Sequence, residues 1–322
     1  MAIISNTFLT YSAVGNREDL SDMIYNIAPT DTPFMSNIGT AKANATLFEW
    51  QTDTLAAAAS NAQLQGDDVT TFTAVVATSR IANRTQISRK TVVVSGTQDA
   101  VDKAGRKREL AYQLALRAKE LKRDMEYVLI GSNQAGVTGN STTAPVTASL
   151  LAFLKSNINF DTTAGVNPTY TSGVPNLPRT DGTVRTFTET ILKDVLQKVY
   201  TAGGDPTVVM TGPVNKQRVS GFAGIATRFR DVPAGKQAQI IGAADIYVGD
   251  FGELSIVPNR FQRERDAFVL DPNFAAVSYL RPFQQIELAK TGDAEKRLLL
   301  VEYGLKVMNE GAHGLAADLV TS

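Results

Sequence analysis

Residues 99–130 read DAVDKAGRKRELAYQLALRAKELKRDMEYVLI, and the rest of the chain is organised around them. The stretch has no proline and few β-branched residues, and it is dense in Ala, Leu, Lys, Arg and Glu, the strongest helix formers. Apolar positions at Leu110, Leu114, Ala118, Leu121, Met125 and Val128 recur every three or four residues and lay one stripe on one face. Asp99 and Asp102 fall in the first turn, where a carboxylate suits the positive end of the helix dipole. Gly131 is a fitting stop. The spacing predicts one helix over 98–130, a rod of roughly 48 Å at ~1.5 Å per residue. Globular helices average roughly 11–12 residues, so this one is a spine lying along a core. Gly105 inside it costs about 1 kcal/mol relative to Ala and is a candidate hinge.

The flanks of the spine differ in kind. Residues 1–45 read as an extended arm with two short helical pieces. One carries Met23, Ile24 and Ile27 and ends at Pro29; the other opens at Thr32-Pro33, continues through Phe34, Met35 and Ile38, and stops at Gly39. Two turns of helix cannot hide that much apolar surface internally, so the pieces must dock. Residues 45–54 and 81–94 are strand-like, with Leu47, Phe48 and the only tryptophan, Trp50, in the first arm. Between them lie an alanine run at 56–59, a polar tip at 63–68 and a Thr/Val-rich return, 69–78, that reads as further strand. An isolated two-stranded ribbon is marginal in water, and a long excursion of this kind is usually functional or disordered. It asks for an outside surface to lie on.

After the spine come a Gly/Ser/Thr/Asn linker (136–144), a short amphipathic helix within 145–156 and a polar stretch, 157–182, that reads as a long surface loop. A capping-box pattern at 186–189 opens a helix with Ile191, Leu192, Val195, Leu196, Val199 and Tyr200 on one face. A buried strand at 207–210 and a helix starting at Gly212-Pro213 follow. Residues 222–240 have mixed polarity and no assignment. Strands at 245–248, 254–257, 268–270, 276–280, 285–289 and 298–308 complete an α+β fold class.

The bulk numbers narrow function by exclusion. With 322 residues the chain suits about two domains and can bury a sizeable core. Hydrophobic residues make up 43% and charged residues 20%, which excludes wholesale disorder and collagen-like repeats. Lys plus Arg equals Asp plus Glu at 32 each, so no global field draws nucleic acid or an anionic membrane. The absence of cysteine removes disulfides, thiolate nucleophiles and Cys-based metal sites. Residues 1–14 lack the basic start and apolar run of a secretory signal, and no stretch reaches the roughly 18 apolar residues of a membrane span.

Catalytic signals are thin. The sole histidine, His313, sits in Gly311-Ala312-His313-Gly314. It could act as a general base for a serine hydrolase, yet no nucleophile motif surrounds any serine, so a structural or solvent-facing role is the expectation. Asp250-Phe251-Gly252 matches a kinase magnesium triplet without the other kinase elements and reads as a turn. Gly203-Gly204-Asp205-Pro206 is a helix stop, since it lacks the ending of a phosphate-binding loop. Lys103, Arg106, Lys107 and Arg108 could touch nucleic-acid phosphates, but beside Asp99, Asp102 and Glu109 they read as a mixed-charge helix face. No cofactor or metal ligand set is assigned.

The order of arm, long unsupported hairpin, spine, mixed α/β body and returning strand pair resembles the HK97-type major capsid (major head) proteins of tailed bacteriophages. The local text is similar at Asp31-Thr32-Pro33-Phe34, Trp50-Gln51-Thr52-Asp53, Ala289-Lys290-Thr291-Gly292-Asp293, Asn309-Glu310 and Ala312-His313. The resemblance covers nearly the whole chain. It implies an N-arm (1–45), an E-loop hairpin (46–91), a P-domain (92–149 and 263–322, holding the spine 98–130 and the C-terminal strands) and an A-domain (150–262). It further implies self-assembly through hexamers and pentamers into an icosahedral shell, with E-loop and N-arm lying on neighbouring subunits. Some relatives carry a cleaved N-terminal scaffolding region; here an arm starts at Met1, and no proteolytic maturation is expected. No Lys–Asn cross-linking pair is assigned.

The function expected is therefore structural and non-enzymatic: a virion subunit enclosing phage DNA, assembled in the host bacterial cytoplasm. The chief partner is the protein itself, with scaffold, portal or decoration proteins in addition, DNA contacted only non-specifically and no membrane. Candidate contact residues are Phe34, Met35, Phe48, Trp50 and Phe72, each of which could instead belong to the chain's own core. The alternatives are an encapsulin-like nanocompartment shell, which would enclose enzyme cargo, and a hydrolase using His313.

Overall fold

The computed structural model describes residues 28–69, 72, 74–222 and 245–321. The helical piece expected around Met23, Ile24 and Ile27 lies outside the described residues, as does the unassigned stretch beyond Phe222. The first half holds α1 (Pro33–Asn37), β1 (Gly39–Lys42), β2 (Leu47–Thr52), β3 (Ser79–Arg84), β4 (Gln86–Ser95), α2 (Gly96–Ala100), α3 (Glu109–Glu126) and α4 (Leu150–Phe153). Next come β5 (Ile158–Asn159), β6 (Thr169–Thr171), β7 (Val174–Leu177), α5 (Glu189–Thr201), β8 (Val208–Thr211) and α6 (Pro213–Ser220). The chain closes with β9 (Ile246–Gly249), β10 (Gly252–Pro258), β11 (Ala267–Leu270), β12 (Ala275–Glu287), β13 (Ala294–Val307) and β14 (Gly314–Ala316).

Alternation within the most apolar strands divides the molecule into two cores. Every residue of β8 and β11 is buried, and successive side chains point to opposite faces. Val208, Met210, Phe268 and Leu270 enter one cluster, which also holds Phe34, Leu121, Met125, Leu129 and Tyr303. Val209, Ala267 and Val269 enter the other, where Leu192, Val195, Leu196 and Val199 of α5 meet them. The sheet between the cores has six strands in the order β5-β14-β11-β8-β10-β9. A second sheet, β1-β12-β13-β4, is dominated by the long antiparallel pair β12–β13. Its pairing shifts register between Tyr279 and Gln284, around Pro282, which has no N–H to donate. The segment after 263 thus serves both sheets: β12 and β13 belong to the four-stranded one, β11 and β14 to the six-stranded one.

The spine departs from expectation. In place of one helix over 98–130 there are α2, a non-helical connection at 101–108, the 18-residue α3 and a π-helical turn, Tyr127–Gly131. The charged residues that favour a helix here build caps instead. The Asp99 carboxylate accepts the Glu109 backbone N–H at 3.0 Å and so caps α3 from the preceding helix. Arg106 pairs with Glu109, and Lys103 donates to the Asp99 and Val101 carbonyls. Gly105 has φ +76°, a left-handed conformation that glycine adopts without steric cost. It is therefore the turning residue of a connection, not a hinge inside a rod. α3 itself runs about 27 Å and packs Leu110 and Leu114 against Val92 and Val94 of β4.

Two other expectations shift. Thr188, not Thr186, caps α5, its hydroxyl accepting the Ile191 N–H. Residues 157–182 are no mere surface loop, for they contain β5, β6, β7 and the fully buried Arg179.

Candidate assembly surfaces

The ribbon β2–β3 is anchored at its base. Phe48 is buried and stacks on Trp50 with centroids 5.9 Å apart, and Trp50 continues onto Phe153 at 6.1 Å. The half-buried indole donates its N–H to the Met308 carbonyl at 3.2 Å. A Cβ on Gly304 would stand 2.6 Å from the Phe48 ring and 2.8 Å from the Arg84 carbonyl, so only glycine lets β13 lie this close. Asn83, fully buried, donates to Thr147 Oγ1 and to the Ala148 and Leu305 carbonyls, and accepts the Ala148 N–H at 2.9 Å. Buried polar groups satisfied this completely fix position.

Beyond the base the character reverses. Among the described residues between Asp53 and Thr78 there is no strand, against the expectation for 69–78, and each of them is exposed. Leu55, Leu64, Val69, Phe72, Val75 and Val76 stand open to solvent, Phe72 at 87%. This run of exposed apolar side chains is the candidate interaction surface of the chain.

The arm behaves in the opposite way. Phe34 is completely buried in the chain's own core, and Met35 packs half-buried against it. α1 has no side-chain cap of its own. The buried Glu126 of α3 supplies one, accepting the N–H groups of Phe34 at 2.7 Å and Met35 at 2.9 Å, together with Asn259 Nδ2 at 2.7 Å. Burial pushes the Glu126 carboxyl above its ordinary range, and those three donors pull it back.

Of the five candidate contact residues, Phe34 and Phe48 are buried in the chain's own core, Met35 and Trp50 are half-buried against it, and Phe72 is exposed. Leu55, Leu64, Val69, Val75 and Val76 complete that outward surface; their position in an unpaired excursion was the available signal.

His313 is enclosed. Its ring is 1% exposed, Nδ1 accepts the Asp271 N–H at 3.4 Å, and Nε2 stands 3.4 Å from the Phe274 carbonyl. That pattern describes a neutral imidazole protonated on Nε2. Desolvation pushes its pKa down to about 4. A ring with both nitrogens on backbone groups and no access to solvent is a poor general base.

A buried charged network joins distant segments. Arg179 pairs with Asp318, both side chains fully buried. Asp318 also accepts the N–H groups of Gly182 at 2.8 Å and Asp161 at 3.1 Å, while holding φ +59°. Asp181, Arg263, Arg265 and Asp266 surround the pair, and burial raises the Asp266 carboxyl. Nothing in the sequence singled these residues out. They fasten the 157–185 excursion to the end of the chain. Among the described residues no cluster of His, Asp and Glu is arranged to hold a metal ion.

Comparison with known proteins identifies the family of the chain. A family model described as SU10 major capsid protein matches residues 3–320. The chain belongs to that family. Its role is that of a phage major capsid protein, a structural component of the virion. The major capsid protein of Escherichia phage Phieco32 is 29% identical over 343 residues, covering 96% of each chain. A chain of the cyanophage A-1(L) capsid asymmetric unit superimposes with TM-score 0.69 at 12% identity, over 98% of this chain and 99% of that one. The capsid of a native GTA particle gives 0.64 at 12% identity, over 97% and 98%. A holo-SrpI encapsulin complex from Synechococcus elongatus PCC 7942 gives 0.54 at 12% identity, over 93% of each. At these identities the structural likeness establishes the HK97-like capsid fold alone.

Proposed function

We propose that this capsid protein builds an icosahedral shell through hexamers and pentamers, that the shell encloses phage DNA, and that the unpaired excursion of the E-loop covers a neighbouring subunit. The observation that carries the reading is the run of exposed apolar side chains from Leu55 to Val76 on a ribbon whose base is locked. Burying a large apolar side chain contributes about 1.5–3 kcal/mol, and repetition around a closed ring multiplies it. The domain division is an N-arm (1–45), an E-loop (46–91), a P-domain (92–149 and 263–322) and an A-domain (150–262). The four-stranded sheet β1-β12-β13-β4 follows this division, whereas β11 and β14, from 263–322, pair into the six-stranded sheet of the A-domain, so the last segment is shared between the two.

The protein performs no catalysis in this reading, and the enclosed His313 fits a structural role. Scaffold, portal or decoration proteins are further partners, DNA is contacted without sequence preference, and assembly takes place in the host bacterial cytoplasm. A phage shell is favoured over a nanocompartment by the family match and by the phage major capsid protein that is 29% identical over 96% of the chain. The test replaces residues 54–77 with a short Gly/Ser linker. The expected product is a folded chain with unchanged thermal stability that forms no particles by light scattering and negative-stain microscopy. Normal shells from the replaced chain would refute the reading.

A further inference from the structure

At the foot of the ribbon lies an open pocket of ≈350 Å³, walled by Lys42 at the end of β1, Ser278 of β12, Lys306 of β13, Asn44 in the turn before β2, and Glu49 of β2. Its charges are unbalanced. Glu49 is engaged with Arg80 at 3.3 Å. Neither Lys42 nor Lys306 has a carboxylate partner among the described residues; Lys306 only hangs over the Trp50 ring at 5.9 Å. A concave site with two uncompensated ammonium groups suits an anionic guest.

The excursion of this chain has the complementary charge. From 53 to 78 its ionisable residues are Asp53, Asp67 and Asp68, with no lysine or arginine among them. Asp67 and Asp68 occupy the tip, directly after a turn in which Gly66 takes φ +85° and Asp67 N–H bonds the Leu64 carbonyl at 3.2 Å. Both are exposed, so the tip does not sit in its own chain's pocket. Fifteen extended residues from Thr52 to Asp67 span roughly 50 Å, against a radius of gyration of about 20 Å for a folded chain of this length. The tip can therefore cross to the next subunit.

Building on the shell reading, we propose that the Asp67-Asp68 tip of one subunit docks into the Lys42/Lys306 pocket of its neighbour, where the charges set the register and Leu64 and Phe72 supply apolar burial. Exposed ion pairs contribute little affinity, but complementary charges discriminate between docking registers.

The absence of native cysteine makes the test clean. The double variant Lys42→Cys/Asp68→Cys is purified as particles, oxidised and run on a non-reducing gel. A ladder of covalent oligomers is expected from the double variant and only monomer from either single one. Particles of the double variant without a ladder overturn the docking while leaving the shell reading intact, whereas a parent chain that never forms particles counts against the shell reading itself. A ladder from Lys42→Cys/Asp22→Cys instead would give the pocket to the N-terminal arm and overturn the proposal. As an independent arm, Asp67→Lys/Asp68→Lys and Lys42→Asp/Lys306→Asp should each lower particle yield several-fold, and together restore it. Failure of the combination to restore yield tells against a direct contact.

Discussion

The two ends of one ribbon behave oppositely. At the base, Phe48, Trp50 and Asn83 spend every favourable contact inside their own chain: rings stack, an indole N–H finds a carbonyl, and a buried amide is fully satisfied. A few residues further on, Leu55, Leu64 and Phe72 make no such contacts and stand in water. Composition does not distinguish the ends, since both are rich in large apolar residues. Pairing does: β2 and β3 stay in register from Leu47↔Arg84 to Thr52↔Ser79 and then stop. A rigid base fixes where the unpaired apolar length starts and so removes part of the entropic cost of aiming it at a neighbour; the excursion itself must still be ordered on docking.

The contrast is sharpest for a matched pair of truncations. Trp50→Ala should lower the monomer's unfolding free energy by about 3 kcal/mol and remove assembly as a consequence. Phe72→Ala should leave monomer stability within about 0.5 kcal/mol while reducing particle yield. Denaturant titration beside light scattering separates the two, and equal stability losses would erase the distinction between base and excursion.

The arm extends the comparison, because its described helix is held at home by Glu126. Glu126→Gln puts an amide N–H₂ where the carboxylate accepts backbone donors and should cost about 1–3 kcal/mol. Burial raises the Glu126 carboxyl above its unfolded value, so protonation favours the folded chain. The contribution is fully present below the ordinary glutamate range, roughly 4.3, and is lost as pH rises through the raised value. The Gln variant should show a flatter stability curve across that interval.

A smaller effect is expected at His313. Its folded pKa of about 4 lies below the unfolded value of ~6.5, so the neutral ring stabilises the fold above about 6.5. That stability is lost as pH falls through about 4. His313→Gln keeps an acceptor for Asp271 and a donor for Phe274, and should shallow the decline in melting temperature on the acid side. A steeper decline would contradict the neutral, enclosed ring.

What the sequence made legible follows from range. The stripe of 109–126, the apolar face of α5 and the fully buried strands β8 and β11 were readable because their signals are local. The break at 101–108 was not, because Asp99, Arg106 and Glu109 favour a helix as readily as they form the caps that end one. Arg179 and Asp318 lie 139 residues apart, and neither has a local pattern that announces a buried pair. For Phe34, Phe48 and Trp50 the local signal is hydrophobicity, which says that a side chain will be buried but not against which copy of the chain.

The central claim is that residues 53–78 are completed by a neighbouring subunit, and a high-resolution cryo-electron microscopy map of assembled particles tests it most directly. The expected map shows Leu64 and Phe72 of one subunit buried against the next, with the β2–β3 base placed as it is in the single chain. A map in which the excursion folds back onto its own subunit, or remains in solvent with no neighbour against it, would contradict the account.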